Sequence, residues 1–133
     1  MLFSKNCLQK EYKGYLIIDK IKMNLGFYNI GDERNNLSNN IKLVLDKDGA
    51  IILAGYSGRN GAFNNLVLLK LKDEIIIKKY NVESKYKIKE IYFEKKDGHI
   101  KISKKKDENI IVLTTDSPGK NGYQLIIKGV SLY

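Results

Sequence analysis

Few side chains in this sequence can attack a carbonyl or move a proton near neutrality. The only thiol is Cys7 and the only imidazole is His99. A thiol becomes a useful nucleophile when a neighbouring base or cation lowers its pKa, so a Cys7–His99 dyad is one candidate. Cys7 precedes the first apolar run, and His99 sits in a lysine-rich stretch between two others. The plainer reading is an incidental thiol near a terminus and a solvated loop histidine. One Cys cannot close an internal disulfide, and one Cys with one His cannot complete a four-ligand zinc site. No metal and no cofactor are therefore expected. Gly58 and Gly61 flank Arg59-Asn60, but a phosphate loop also needs a following Lys-Ser/Thr and a strand–loop–helix setting.

The 133 residues carry 24 Lys+Arg against 15 Asp+Glu, a net charge of +9. The only arginines are Arg34 and Arg59, whereas nucleic-acid readers favour arginine for bidentate contacts. Such a Lys-, Ile- and Asn-rich composition also follows from an AT-rich genome. A basic surface near an anionic membrane or wall polymer explains the charge as readily as nucleic acid does. The cluster Lys95, Lys96, Lys101, Lys104, Lys105 and Lys106 is interrupted by Asp97 and followed by Asp107 and Glu108. It reads first as a solvated hairpin.

The elements that must position these groups are short β-type runs separated by Gly, Asn and Asp. Tyr15 to Ile18, Met23 to Tyr28, Ile41 to Leu45 and Ala50 to Ala54 come first. Ile75 to Ile77, Tyr86 to Phe93, Ile110 to Thr115 and Leu125 to Val130 complete the set. Asp46-Lys47-Asp48-Gly49 is a reversal, since Asp and Gly tolerate positive φ. Ala50 to Ala54 is apolar throughout and is expected to be buried on both faces. Lys85 to Lys89 alternates strictly, so one of its faces meets water. Only Asn35 to Asn40 and the Phe63 region invite helix. No run approaches the roughly 18 apolar residues of a membrane span, so the chain as given reads as soluble. Residues 1–11 form an N-terminal extension, and 12–133 form one domain.

One constellation is more specific. Leu53-Ala54-Gly55-Tyr56-Ser57-Gly58 followed by Phe63-Asn64-Asn65-Leu66 resembles the sortase family, in which a strand ends in Ala-Gly-His and a Phe-x-x-Leu turn follows. Leu69 to Ile77 is similar to the lysine-and-glycine turn that opens the next sortase strand. Ile111-Val112-Leu113-Thr114-Thr115-Asp116 resembles the strand ending Leu-x-Thr-Cys. Tyr123-Gln124-Leu125-Ile126-Ile127 resembles the final strand, which begins at a catalytic Arg. Gly14-Tyr15-Leu16-Ile17-Ile18-Asp19-Lys20-Ile21 resembles the opening Gly-x-Leu-x-Ile-Pro-Lys-Ile, with Asp19 where Pro is usual. The resemblance runs from about Tyr12 to Leu132. It implies an all-β fold, a closed sortase-like β-barrel of about eight strands with one or two short helices.

Sortases are cysteine transpeptidases that cleave a sorting signal such as Leu-Pro-x-Thr-Gly. A thiolate attacks, a His protonates the leaving amine and an Arg stabilises the oxyanion. At the matching positions this sequence has Asp116, Tyr56 and Gln124. A phenol, with a reference pKa of about 10, shuttles protons poorly near neutrality. A carboxylate is a weak nucleophile toward an amide, and Gln brings no charge. Losing one member of such a triad commonly costs on the order of 10⁴–10⁶ in rate.

The resemblance thus implies a catalytically inactive sortase-like protein, a pseudoenzyme, from a Gram-positive type bacterium. In that reading Tyr56 donates a hydrogen bond to Asp116, and Ser57, Arg59, Phe63 and Thr115 are candidate groove-binding residues. The expected partner is a peptide, a protein or an active sortase. The expected location is the outer face of the membrane, with cytoplasm as the alternative. A second reading keeps the cleft and changes the chemistry to Asp116 with Tyr56, although aspartyl hydrolysis needs a second carboxylate beside the first. A third is a basic barrel for an anionic polymer or nucleic acid, with Tyr86 and Tyr92 as candidate stacking residues.

Overall fold

The computed structural model describes residues 12–36, 39–58, 60–96, 103–116 and 121–131. Eight strands form one sheet: β1 (Gly14–Ile18), β2 (Met23–Phe27), β3 (Lys42–Lys47), β4 (Ala50–Ala54), β5 (Glu74–Lys79), β6 (Val82–Lys95), β7 (Ile110–Asp116) and β8 (Tyr123–Ser131). Their order is β2-β1-β5-β6-β8-β7-β4-β3. Every neighbouring pair is antiparallel except β4 with β7. The sheet curls into a nearly closed barrel. An ion pair of 2.9 Å between Lys79 Nζ on β5 and Asp46 Oδ2 on β3 joins strands that are not sheet neighbours.

The only helical elements among the described residues are single 3-10 turns at Asp19–Ile21, Glu33–Asn36 and Leu66–Leu68. The two regions that invited helix supply the second and third. The first begins at Asp19 and ends at Lys22, which takes a left-handed φ of 54°.

Alternation explains the core. Leu16, Ile18, Leu53, Ile75, Ile77, Ile88, Ile111, Leu113, Leu125 and Ile127 point into the barrel, where Phe63 and Leu66 plug it from the loop after β4. The opposite faces of β4, β7 and β8 carry a second buried cluster of Ala50, Ile52, Ile110, Val112 and Ile126. That is why Ala50 to Ala54 and Ile110 to Thr115 are apolar almost throughout. In β6, Tyr86 and Ile88 face inward, and an irregular register between Ile88 and Glu90 then resets the period, so that Ile91 packs on the same core. A bulge of this kind is invisible in a pattern of two.

Two hairpins use two-residue turns with positive φ at both positions: Asp48-Gly49 (53°, 81°) and Tyr80-Asn81 (50°, 65°). The first is the reversal expected from an Asp-Gly pair. The second carries a bulky aromatic in a region that favours Gly and Asn.

Phe63 is 1% exposed. It also sits against Gly55, where a Cβ would lie 2.9 Å from its ring. Truncating it leaves a cavity at the barrel mouth. Phe63→Ala is expected to destabilise the chain by about 3–5 kcal/mol in urea unfolding.

Candidate functional site

The parallel pairing of β4 and β7 builds the site. Ala54 is in register with Thr114, and the ladder continues through Gly55 N–H, which donates to Thr114 C=O at 3.1 Å. Both strands end at the same edge, so the residues two further on, Tyr56 and Asp116, emerge side by side on one face. β8 runs back antiparallel from that edge, with Gln124 opposite Asp116. Next across is β6, with Glu94 opposite Gln124. One row therefore reads Tyr56, Asp116, Gln124, Glu94 over four chain segments.

Tyr56, Asp116 and Gln124 border a cavity of about 230 Å³, whose walls also include Asn35, Asn40, Lys42 and Thr115. The structure thus brings together Tyr56, Thr115, Asp116 and Gln124. Ser57 lies half-buried in the loop beyond Tyr56 and does not border the cavity. Phe63 was expected on the groove wall, but lies beneath it in the barrel core, because Gly55 leaves room for its ring. Arg59, Cys7 and His99 lie outside the described residues.

Tyr56 is 52% exposed, and no hydrogen bond joins it to Asp116 among the described residues. The expected phenol–carboxylate bond is replaced by an ion pair from Lys96 Nζ to Asp116 Oδ1. An ammonium outcompetes a phenol for a carboxylate because both partners of the bond are then charged. Lys96 is delivered there by its own backbone, whose N–H donates to Gly122 C=O at 2.8 Å. Both groups are about half exposed, so this pair adds little stability. Gln124 is held by Thr114 Oγ1, which donates to Gln124 Oε1 at 3.0 Å.

The far wall is a rigid turn. Asn35 is buried, its Oδ1 accepts Tyr28 N–H at 3.1 Å and its Nδ2 donates to Asn29 C=O at 2.8 Å. Asn40 Nδ2 donates to Arg34 C=O at 2.9 Å. Arg34 clasps Asp32 through Nε (3.0 Å), Nη2 (2.7 Å) and its backbone N–H (2.9 Å). The Arg34 side-chain bond first, and its backbone bond second, hold the Asp32 carboxyl down at about 2.

Thr115 differs from its neighbours. It is 5% exposed, and its Oγ1 is the one buried side-chain polar atom left without a partner among the described residues. Lys42 has no ion-pair partner among them either. Sequence reading missed Asn35, Asn40, Lys42, Glu94 and Lys96. The pairing register could have suggested Glu94, but the wall residues depend on how the turn after β2 folds. Tyr86, a candidate stacking residue, is instead buried, and Tyr92 packs on the outer cluster. Burial raises the phenol pKa of both. Among the described residues no three His, Cys, Asp or Glu side chains converge as a metal site.

The sortase domain family model matches residues 16–131. Among solved structures, sortase C-1 from Actinomyces oris is similar with a TM-score of 0.79 and 21% identity, over 93% of this chain and 76% of that one. Sortase C1 from Streptococcus agalactiae gives a TM-score of 0.79 and 24% identity, over 94% and 69%. A lid mutant of sortase A from Corynebacterium diphtheriae gives 0.79 and 20%, over 92% and 70%. At these identities the likeness establishes the shared fold. Comparison with curated proteins gives no match.

The Asp32 clasp yields a pH prediction. Its carboxyl is depressed in the folded state, so its contribution is present at neutral pH and is lost as pH falls from about 4 toward 2. An NMR titration should find the Asp32 midpoint near 2, and Arg34→Gln should raise it toward the ordinary carboxylate value.

Proposed function

The chain belongs to the sortase family, and on that premise we propose that it is a sortase scaffold without thiol transpeptidase chemistry, which binds a peptide or protein segment in the former substrate groove. The observation that carries this reading is the β4–β7 edge. By the motif resemblance the family's His, Cys and Arg fall at Tyr56, Asp116 and Gln124, and these three residues border one cavity. A phenol, an ion-paired carboxylate and an uncharged amide supply neither a thiolate nor a cation for the oxyanion.

Binding is supported by what the cavity retains. The Lys42 ammonium and the exposed Tyr56 phenol can hydrogen-bond a peptide carbonyl or carboxylate. A bound segment of another sortase is one such peptide, so modulation of an active sortase belongs to the same reading. Sortases act on the outer face of the membrane, and the proposal carries that location over. No helix among the described residues is long and apolar enough to cross a membrane.

Aspartyl chemistry is less well supported. The nearest carboxylate in the row is Glu94, two strands from Asp116 with Gln124 between them. Two strand spacings are about 10 Å, too far for a shared proton.

Two measurements test the proposal. The chain is mixed with a Leu-Pro-x-Thr-Gly peptide and an amine acceptor, and products are read by mass spectrometry. No cleavage and no transfer are expected. Turnover that survives Cys7→Ala and disappears in Asp116→Ala would overturn the reading. Lys42→Gln should weaken peptide binding about fivefold to tenfold in calorimetry while leaving the melting temperature unchanged, because the exposed ammonium has no ion-pair partner among the described residues.

A further inference from the structure

The outer face of β1, β2 and β5 carries a second, unrelated concavity. Tyr15 is in register with Gly26 on one side and Lys78 on the other, and Ile17 with Asn24. Their side chains therefore share the solvent face. The ring of Tyr12 lies flat over Gly26, where a Cβ would stand 2.6 Å from it. That ring stacks on Tyr28 at 4.7 Å and tilts against Tyr15 at 5.3 Å. The Arg34 guanidinium caps Tyr28 from 4.0 Å. The aromatic cluster is thus preorganised, with Tyr12 and Tyr15 still partly exposed.

Across the depression stands Tyr80, 79% exposed. It occupies a left-handed position of the β5–β6 turn, where Asn or Gly would fit without strain. It buries almost nothing there, so packing gives no reason for a tyrosine at this position. Backbone strain around an exposed aromatic is the kind of outlier that marks a contact surface. Lys13 sits over its ring at 5.6 Å.

The polar lining defines the ligand. Asn24 and Asn81 offer amides, and Lys13 and Lys78 offer ammonium groups. No carboxylate lines the depression, and neither lysine has an acidic partner among the described residues. Aromatic rings stack on the C–H faces of sugars, amides pair with vicinal hydroxyls, and uncompensated ammonium groups attract anions. We propose that this face, with Tyr15 and Tyr80 as its available rings and Asn24, Lys13 and Lys78 around them, binds an acidic saccharide chain. Single-stranded nucleic acid fits less well: the faces of Tyr12 and Tyr28 are taken up by each other, by Gly26 and by Arg34, which leaves no run of free rings for successive bases.

The test titrates the full chain with three probes and follows its amide NMR shifts. The probes are an oligosaccharide alternating N-acetylglucosamine with N-acetylmuramic acid, neutral N-acetylglucosamine tetramer, and oligothymidylate. The acidic saccharide should shift amides around Lys13, Tyr15, Lys78 and Asn81, and bind about fivefold tighter than the neutral one at low salt. Tyr80→Asn should weaken it about tenfold with the melting temperature kept or raised, and Lys78→Gln should weaken only the acidic probe. No binding of the acidic saccharide at millimolar concentration, equal affinity for the two saccharides, shifts centred on Asp116, unchanged affinity in Tyr80→Asn, or tighter binding of oligothymidylate would each overturn the proposal. Peptide binding at the β4–β7 edge is read separately, by Lys42→Gln.

Discussion

Everything at the candidate site depends on one parallel ladder. In a sheet otherwise built from antiparallel neighbours, β4 and β7 run side by side in the same direction, from Ala50 with Ile110 to Ala54 with Thr114. Parallel strands bring their C-terminal ends to one edge, and residues from distant parts of the chain emerge there together. An antiparallel pair would have put Tyr56 and Asp116 at opposite ends of the barrel. The ladder is stable because it is buried twice, by Leu53, Ile111 and Leu113 inside the barrel and by Ile52, Ile110 and Val112 outside it. Burial on both faces leaves the sequence little freedom until the strands reach the edge, and polar side chains begin there, at Thr114 and Tyr56.

The chemistry available at that edge follows from charge. Asp116 is engaged by Lys96, Gln124 by Thr114, and the opposing wall is fixed by the Asp32–Arg34–Asn35 turn. Each of these groups already has a partner. Among the described residues that border the cavity, Lys42 and Tyr56 keep exposed bonding capacity. In the proposed reading, a site of this composition holds a polar chain and breaks no bond. The same turn also supports the tyrosine cluster, where Arg34 caps Tyr28. The two surfaces therefore share a structural support while differing in chemistry, one polar and walled by amides, the other aromatic and cationic.

The strands were legible wherever their two-residue period was unbroken, as in Lys85 to Lys89, or where burial on both faces made a run apolar, as in Ala50 to Ala54. Boundaries drifted where hydrogen bonding outlasts the apolar run. β6 extends from Val82 to Lys95 because its two ends pair with different neighbours. The convergence of Tyr56, Asp116 and Gln124 on one cavity was legible because it follows short motifs with fixed order. Phe63 was misplaced because a motif does not say which way a ring points, and the space under Gly55 decides that. Lys96, Asn35 and the tyrosine cluster were not legible at all. Each depends on a turn or a register that joins residues far apart in the chain.

The central claim, that this family scaffold does not form an acyl intermediate at the β4–β7 edge, is tested most directly by intact-mass measurement after incubation with a sorting-signal peptide. The account predicts an unchanged mass for the native chain, and a peptide acyl adduct only in a Tyr56→His, Asp116→Cys, Gln124→Arg variant that restores the family's residues. A peptide adduct on the native chain would contradict it.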